Sequence, residues 1–473
     1  MLQSDVRSRG DGRTILKNTF RTIDGSICAP RGFKAAAVFC DIKRIGTGKG
    51  SEKGEKRDLA LIVSDVPAAV AGMFTTNQVC AAPVKVSALR AARRFSRAIV
   101  VNSGNANACT GARGLADAKA MTEIAAKSLE ISPQHVLVCS TGRIGVPMPM
   151  GNVKRGIRAA AATLSASPGS ARNVAESIMT SDTRRKEIAV EFQLGPARVR
   201  IGGICKGAGM IQPGMVPAKK LPTMGLHATM LCFLTSDVLI SALALRQCLN
   251  QAVEQSFNRI TVDGDMSTND SVIMLANGSA KNRPLVWVGP RDLKKARKLD
   301  SQKPNQLELV LTFQAALNQV CLELAKMIVR DGEGVTRFIT LHVHGARSAA
   351  DAEAAARAVA NSILVKTSWF GGDPNWGRIL CALGYSVARV DERKVDVGYS
   401  APGKSKITYG LRSGQPTKVT LKALARIVSQ PEFDLHIFLN AGSHDCVLYT
   451  SDLTEEYVEF NKGNVSDPKS LGG

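Results

Sequence analysis

KGAGMIQPGMVPAKKLPTMGLHATMLCFLTSD, residues Lys206 to Asp237, holds a short element on which the reading of the whole chain turns: Ala228-Thr229-Met230-Leu231, a small residue followed by a threonine. A threonine hydroxyl is a weak nucleophile unless a base stands beside it, and cutting the chain just before it supplies one in the freed α-amine. With a pKa of ~7.7–8 such an amine is partly neutral near neutral pH and can take the hydroxyl proton. The dipeptide carries no weight alone, because most threonines are structural. Its weight has to come from its surroundings.

Outward from that stretch, the chain of 473 residues is 44% apolar, enough for one large domain or two to three ordinary ones with real cores. A net charge of +22 would suit nucleic acid or an anionic membrane as partner. Aromatics make up only 5%, however, and neither an RNP-like aromatic pattern nor zinc-finger spacing occurs. The charge therefore reads as a basic solvated surface that gathers small anionic substrates, with no nucleic acid and no membrane as partner. Eleven cysteines stand singly, without a C-x-x-C pair, which suits a reducing compartment. Nothing reads as a transmembrane span or a secretory signal. Arg7, Arg9, Arg13, Lys17 and Arg21 raise the mitochondrial matrix as an alternative location, but Asp5 and Asp11 weaken a transit peptide, so residues 1–31 are read as a basic tail on a cytoplasmic protein.

Apolar runs at Asp58–Ser64, Ile99–Val101 and Val136–Val138 predict buried strands. The last two end in small polar segments, Asn102–Ala108 and Ser140–Gly142, suited to bringing backbone N–H groups close to a ligand. Helices are predicted at Val153–Leu164, Leu243–Phe257, Phe313–Ile328 and Ala349–Leu364; in the third, Phe313, Leu317, Val320, Leu324 and Ile328 recur at helical spacing. The alternation is mixed, without strict βαβ repetition, and predicts an α/β fold with layered sheets. Lys281–Lys303 is basic and contains proline, and reads as a subdomain connection.

Several motifs imitate chemistry they lack. Gly46–Arg57 is glycine-rich but has no G-x-x-x-x-G-K-[ST] and reads as an exposed loop. Asp263–Asp270 resembles a calcium loop, yet its sixth position is Thr268 and its twelfth is Met274, so it is not an EF-hand. His342 and His344 alternate on a predicted strand and share a face; without a third ligand at a sensible spacing they read as surface or packing histidines, and no metal site is expected. Gly371–Arg378 is a glycine-proline turn whose polar density suggests a site wall.

In one order along the chain stand MFTTN (Met73–Asn77), AAPV (Ala81–Val84), NSGNANACTG (Asn102–Gly111), STG-x-IG (Ser140–Gly145), IMTSDT (Ile178–Thr183), KGAGMI (Lys206–Ile211), FN-x-ITVDGD-x-STND (Phe257–Asp270), IVRDGEG (Ile328–Gly334), DPNWGR (Asp373–Arg378) and DLTEEYV (Asp452–Val458). Together they resemble the ornithine acetyltransferase, or glutamate N-acetyltransferase, family, whose members cleave themselves before a threonine. The resemblance runs from about Gly32 to about Val458. It implies a layered α/β/β/α sandwich of the self-cleaving DmpA/ornithine acetyltransferase type. Autocatalytic cleavage between Ala228 and Thr229 would then give fragments 32–228 and 229–473, which stay together and pair into a heterotetramer.

The resemblance also implies roles. Thr229 is the nucleophile, and the Thr141 hydroxyl with the Gly142 N–H is the oxyanion hole, stabilising charge that develops on the acetyl carbonyl oxygen. Thr180 and Lys206 contact substrate, the lysine offering a cation to an amino-acid carboxylate. Glu333 receives the substrate's amino end. Asn461 and Ser466 match the C-terminal binding pair by spacing after Tyr457-Val458, although their local sequence departs from the family's pattern. The substrates implied are Nα-acetylornithine and glutamate, and no metal or organic cofactor is needed; whether acetyl-CoA also serves as donor is a further alternative that the sequence leaves open.

One departure lies beside the nucleophile. In the family the threonine follows the motif lysine by eleven residues; here that position is Pro217, and Val216–His227 adds twelve residues before Ala228. Thr223, also followed by methionine, is a second candidate. Thr229 is preferred for its preceding alanine, its following Met-Leu, and Ser236-Asp237 where the family carries Thr-Asp. Two other readings stay open: an N-terminal-nucleophile aminopeptidase with water as acceptor, and an uncleaved, inactive homologue serving as a basic binding protein.

Overall fold

The computed structural model describes residues 20–43, 56–218, 230–287 and 306–462. The strands of the first sheet are β1 (Arg21–Thr22), β2 (Phe33–Val38), β3 (Leu59–Phe74), β4 (Phe95–Asn105), β5 (Val136–Arg143), β6 (Lys186–Leu194), β7 (Ala197–Lys206), β8 (Val216–Pro217), β9 (Leu231–Ser236) and β10 (Ser271–Ala276). A second sheet holds β11 (Phe338–Ala346), β12 (Asp396–Ser400), β13 (Thr408–Arg412), β14 (Gln415–Pro416), β15 (Glu432–Phe438) and β16 (His444–Ser451). The helices are α1 (Ala82–Ala91), α2 (Gly111–Leu129), α3 (Met150–Ala162), α4 (Pro168–Ser177), α5 (Ala242–Glu254), α6 (Gln306–Arg330), α7 (Ala349–Ala360), α8 (Ile363–Phe370), α9 (Trp376–Tyr385), α10 (Leu421–Val428) and α11 (Glu455–Asn461).

The layering follows from strands that are apolar on both faces. Along β9, Leu231 and Phe233 enter a central core, while Cys232 and Leu234 enter the core beneath α5 and α6. Along β4, Ile99 and Val101 enter that same central core, while Ala98 and Val100 meet α2 and α3. Side chains that alternate at period two thus build four layers, α/β/β/α, as the family resemblance implies. The sixteen-residue β3 serves both sheet layers: Leu59–Ser64 pair with β2, and Ala69–Phe74 pair with β10. Its register against β4 shifts between Val63 and Ala68, a stretch that contains Pro67, which has no N–H to give the ladder.

Asp58–Ser64, Ile99–Val101 and Val136–Val138 lie in or at the start of β3, β4 and β5 as predicted. The predicted helix Ala349–Leu364 is instead two helices. It stops at Ala360, and the Ser362 hydroxyl accepts from the Val365 N–H to start a new one, while Asn361 spends its amide on Thr261 and Gln212. Among the described residues α6 is the one helix long and apolar enough to cross a membrane. Its stripe of Phe313, Leu317, Val320, Leu324 and Ile328 is fully buried in the core of the outer layer. Most of the Gly46–Arg57 loop and of the Lys281–Lys303 connection falls outside the described residues.

The second sheet has the order β14-β13-β12-β15-β11-β16 and a core of its own, in which Leu341, Val343, Leu435 and Ile437 pack with α7 to α10. The Gly371–Arg378 turn belongs here. Asn375 caps α9 through the Arg378 N–H (3.1 Å), and Arg378 donates to the Leu364 carbonyl of α8 (2.8 Å); Asn375, Gly377 and Arg378 line a cavity with Asn361, Leu364 and Tyr385.

Candidate active site

The carboxyl ends of the parallel strands β4 and β5 and the end of β7 meet at one place. Here backbones approach too closely for side chains. A Cβ on Gly142, at φ +123°, would stand 2.4 Å from the Gly104 carbonyl carbon, and one on Gly104, at φ +94°, would stand 2.5 Å from the Lys43 Cα. Only glycine suits such positive φ at such contact. The Asn269 amide then ties the two strand ends together, donating to the Ala106 carbonyl (2.7 Å) and the Ser140 carbonyl (2.8 Å).

Thr141 is fully buried, and Lys206 donates from Nζ to its Oγ1 at 3.3 Å. A hydroxyl that accepts from an ammonium keeps its own proton for another acceptor, which is the state an oxyanion donor needs. Burial pushes the Lys206 ammonium below its usual range; Asp182, Glu333 and Asp270 pull it back up, and Lys186 adds to the lowering.

Asp182 holds the lysine's own loop: it accepts from the Gly207 N–H (2.7 Å) and the Thr180 N–H (3.0 Å). Burial alone would raise its carboxyl, but Lys186, Lys206 and the Gly207 N–H outweigh burial and hold it at about 2. Lys186, itself buried, bridges Asp182 to Asp331. Asp331 in turn accepts from the Thr183 N–H (3.1 Å) and hydroxyl. The IMTSDT, KGAG and DGEG motifs are thereby joined through one buried lysine.

Glu333 accepts an N–H bond from the Asn461 amide at 2.9 Å, and its own N–H donates to the Ala208 carbonyl at 2.9 Å. Its carboxylate lies against Gly209, where a Cβ would meet Oε2 at 2.3 Å. Gly334 is equally constrained, since a Cβ there would stand 2.5 Å from the Tyr457 N at the start of α11. Thr141, Lys206, Glu333 and Asn461 are therefore linked across four distant stretches of chain. Thr180 sits at the exposed edge of this group.

The chain is anchored on both sides of the inserted stretch. Met215 exchanges two hydrogen bonds with the Asn258 amide (3.0 and 3.1 Å), and Val216–Pro217 pair with Phe74 and Met73 of β3. At the far side the Met230 N–H donates to Asp270 Oδ1, and the Met230 carbonyl accepts from the Ser271 N–H at 3.0 Å. Asp270 is fully buried, its Oδ2 has no hydrogen-bond partner among the described residues, and burial drives its carboxyl well above the usual range against the Met230 N–H and Lys206. Ala228, Thr229, Thr223 and Ser466 lie outside the described residues.

Sequence reasoning assigned no role to Asp182, Lys186, Asp270 or Asp263. Asp263 accepts from the Met210 N–H (2.5 Å) and the Ile211 N–H (2.8 Å), which sets the KGAGMI turn rather than a calcium ion. The three carboxylates were visible as acids inside motifs of small polar residues; Lys186 had no such signal.

The ArgJ family profile matches residues 35–464. The chain is 44% identical over 437 residues to the arginine biosynthesis bifunctional protein ArgJ of Symbiobacterium thermophilum, covering 92% of this chain and 98% of the relative. It is 42% identical over 446 residues to the glutamate N-acetyltransferase of Methanocaldococcus jannaschii, covering 93% and 98%. Among solved structures, an ornithine acetyltransferase complexed with ornithine from Mycobacterium tuberculosis is 35% identical, with a TM-score of 0.38, over 42% of this chain and 100% of that one.

Proposed function

Because the chain belongs to the ArgJ family, we propose that it is an acetyltransferase of arginine biosynthesis, moving the acetyl group of Nα-acetylornithine to glutamate through an acetyl ester on Thr229. Cleavage between Ala228 and Thr229 frees the threonine amine. That amine takes the hydroxyl proton as Oγ1 attacks the acetyl carbonyl, and charge on the carbonyl oxygen is met by the Thr141 hydroxyl and the Gly142 N–H. Collapse breaks the amide bond; ornithine leaves with the proton, and an acetyl-threonine ester remains. Glutamate's amine then attacks the ester, N-acetylglutamate departs, and the hydroxyl is restored. The order is ping-pong.

The observation that carries this reading is the Lys206–Thr141 hydrogen bond, with Glu333 and Asn461 bonded to each other and joined to the same KGAG turn. A cation for an α-carboxylate, a carboxylate for an amine and a hydroxyl donor for an oxyanion are the groups an amino-acid acyl transfer needs. Acetyl-CoA as a second donor, pairing of the fragments into a heterotetramer and a cytoplasmic location belong to the same proposal. The anchoring of Met215 and Met230 on either side of the insertion supports cleavage within the stretch between them.

Intact-mass measurement with N-terminal sequencing tests it. Two fragments, the second beginning at Thr229, support the enzyme; a single uncut chain refutes it, and a start at Thr223 moves the nucleophile. Isotope-labelled acetyl should appear on glutamate. Free labelled acetate in its place would favour the aminopeptidase-like alternative with water as acceptor.

A further inference from the structure

The face of the second sheet turned away from its helices carries a cluster that acetyl transfer does not use. β11 and β15 run parallel with His342 directly opposite His436, and His344, two residues on, shares the face. One ligand nitrogen from each of the three rings lies within 4.8 Å of the other two. His342 Nε2, His344 Nε2 and His436 Nδ1 are buried without a hydrogen-bond partner among the described residues. The remaining nitrogen of one ring is oriented from outside, with Ser400 Oγ 3.0 Å from His436 Nε2; Asp445 Oδ2 stands further off, 3.8 Å from His344 Nδ1. Asp434 Oδ2, fixed by the Gly403 N–H at 2.7 Å, lies 3.8 Å from His342 Nε2.

Ring stacking explains part of this. The three imidazoles are near parallel, and Phe438 stacks on His344 at 4.5 Å. Stacking does not explain why one nitrogen of each ring is buried and unpartnered, an omission that costs roughly 1–3 kcal/mol apiece. Nor does it require the Ser400 hydroxyl behind His436, the kind of contact that fixes tautomer and direction in metal-bound histidines.

We propose that His342, His344 and His436 bind a divalent transition metal of the zinc class, with Asp434 as the fourth ligand, clamping β11 to β15. Imidazole nitrogens suit zinc, copper or nickel, whereas magnesium and calcium prefer all-oxygen shells. Metal–nitrogen bonds of ~2.0–2.1 Å in a tetrahedron place the nitrogens ~3.4 Å apart, so the rings, now near parallel, turn out of their stack to aim their in-plane lone pairs at a shared ion. The expectation of no metal site rested on a missing third ligand, and the fold supplies one from 92 residues further along the chain (436 − 344).

The test uses the whole protein freed of metal by chelator dialysis and titrated with zinc chloride against a chromophoric chelator. One zinc per chain is expected, with magnesium unable to compete. His344→Asn should abolish stoichiometric binding, Ser400→Ala should weaken it about tenfold, and His135→Asn should leave it unchanged. On the unaltered chain, zinc should protect the peptides carrying His342, His344 and His436 from diethylpyrocarbonate. It should also raise the urea midpoint of the wild type and not that of His344→Asn. Absence of a stoichiometric zinc, binding that survives His344→Asn, or equal histidine labelling with and without zinc overturns the proposal.

Discussion

Replacing Lys186 by methionine removes the one cation between two buried carboxylates while roughly keeping its volume. In the native protein Lys186 is 1% exposed, Asp182 0% and Asp331 2% at the side chain. Truncating one partner of a buried ion pair costs ~3–5 kcal/mol, because the other charge is left uncompensated. Burial raises the Asp182 carboxyl, and Lys186 leads the influences, with Lys206 and the Gly207 N–H, that together hold it at about 2, so part of that hold survives the substitution. Asp331 keeps Thr183 and Arg184 as partners and loses less.

The pH dependence separates this account from simple loss of packing. A depressed carboxyl stabilises the fold above its unfolded value near 4, and that contribution is lost as pH falls toward 2. Without Lys186, burial becomes the dominant influence on Asp182, the carboxyl rises, and protonation then favours the folded state. The gap in urea midpoint between wild type and Lys186→Met should therefore be widest at pH 7 to 8 and narrow as pH falls below 5. Asp182 also holds the Gly207 N–H beside Lys206, so KM should rise with the stability loss. A gap that is constant from pH 8 to pH 4, or a loss under about 1 kcal/mol against the ~3–5 expected, would refute the reasoning.

Gly142→Ala drives a Cβ to 2.4 Å from the Gly104 carbonyl carbon and displaces the N–H proposed for the oxyanion; kcat should fall by about 10²–10³, as for loss of one such donor, with steady-state acetyl transfer as the assay. Asn461→Ala frees the Glu333 carboxylate from its 2.9 Å partner and should raise KM several-fold while fragment formation on a gel stays normal. Thr229→Ala should leave a single intact and inactive chain by mass spectrometry, whereas Thr223→Ala should cleave and turn over like the wild type. Acetylation of Thr229, followed by rapid quench, should slow as pH drops below the ~7.7–8 of an α-amine, because the protonated amine cannot take the hydroxyl proton.

How far the fold was legible depends on which interactions decide each part. Strands such as Ile99–Val101 announce themselves by apolar runs, and α6 by its helical stripe, because burial is a local demand on residue type. The break at Asn361-Ser362 was missed because apolar residues resume directly after it at Ile363-Leu364; what ends the helix is an asparagine recruited by Thr261 and Gln212 from distant chain. The site divides the same way. Gly142 and Lys206 stand in dense motifs, but Lys186 opens an ordinary-looking strand, and its importance comes from Asp331, 145 residues away.

The histidines carry this point furthest. Period-two spacing on β11 reveals that His342 and His344 share a face, yet spacing is silent about which strand lies beside it. That neighbour is β15, brought alongside in parallel after the intervening helices α7 to α10 and strands β12 to β14. A parallel pairing of this kind needs a long crossover, so its partner is by construction remote in sequence. Residue chemistry can nominate two ligands, but only topology can nominate the third. Buried polar atoms left unpartnered among the described residues, at His436 as at Asp270, are where the fold has committed side chains for reasons that stability alone does not supply.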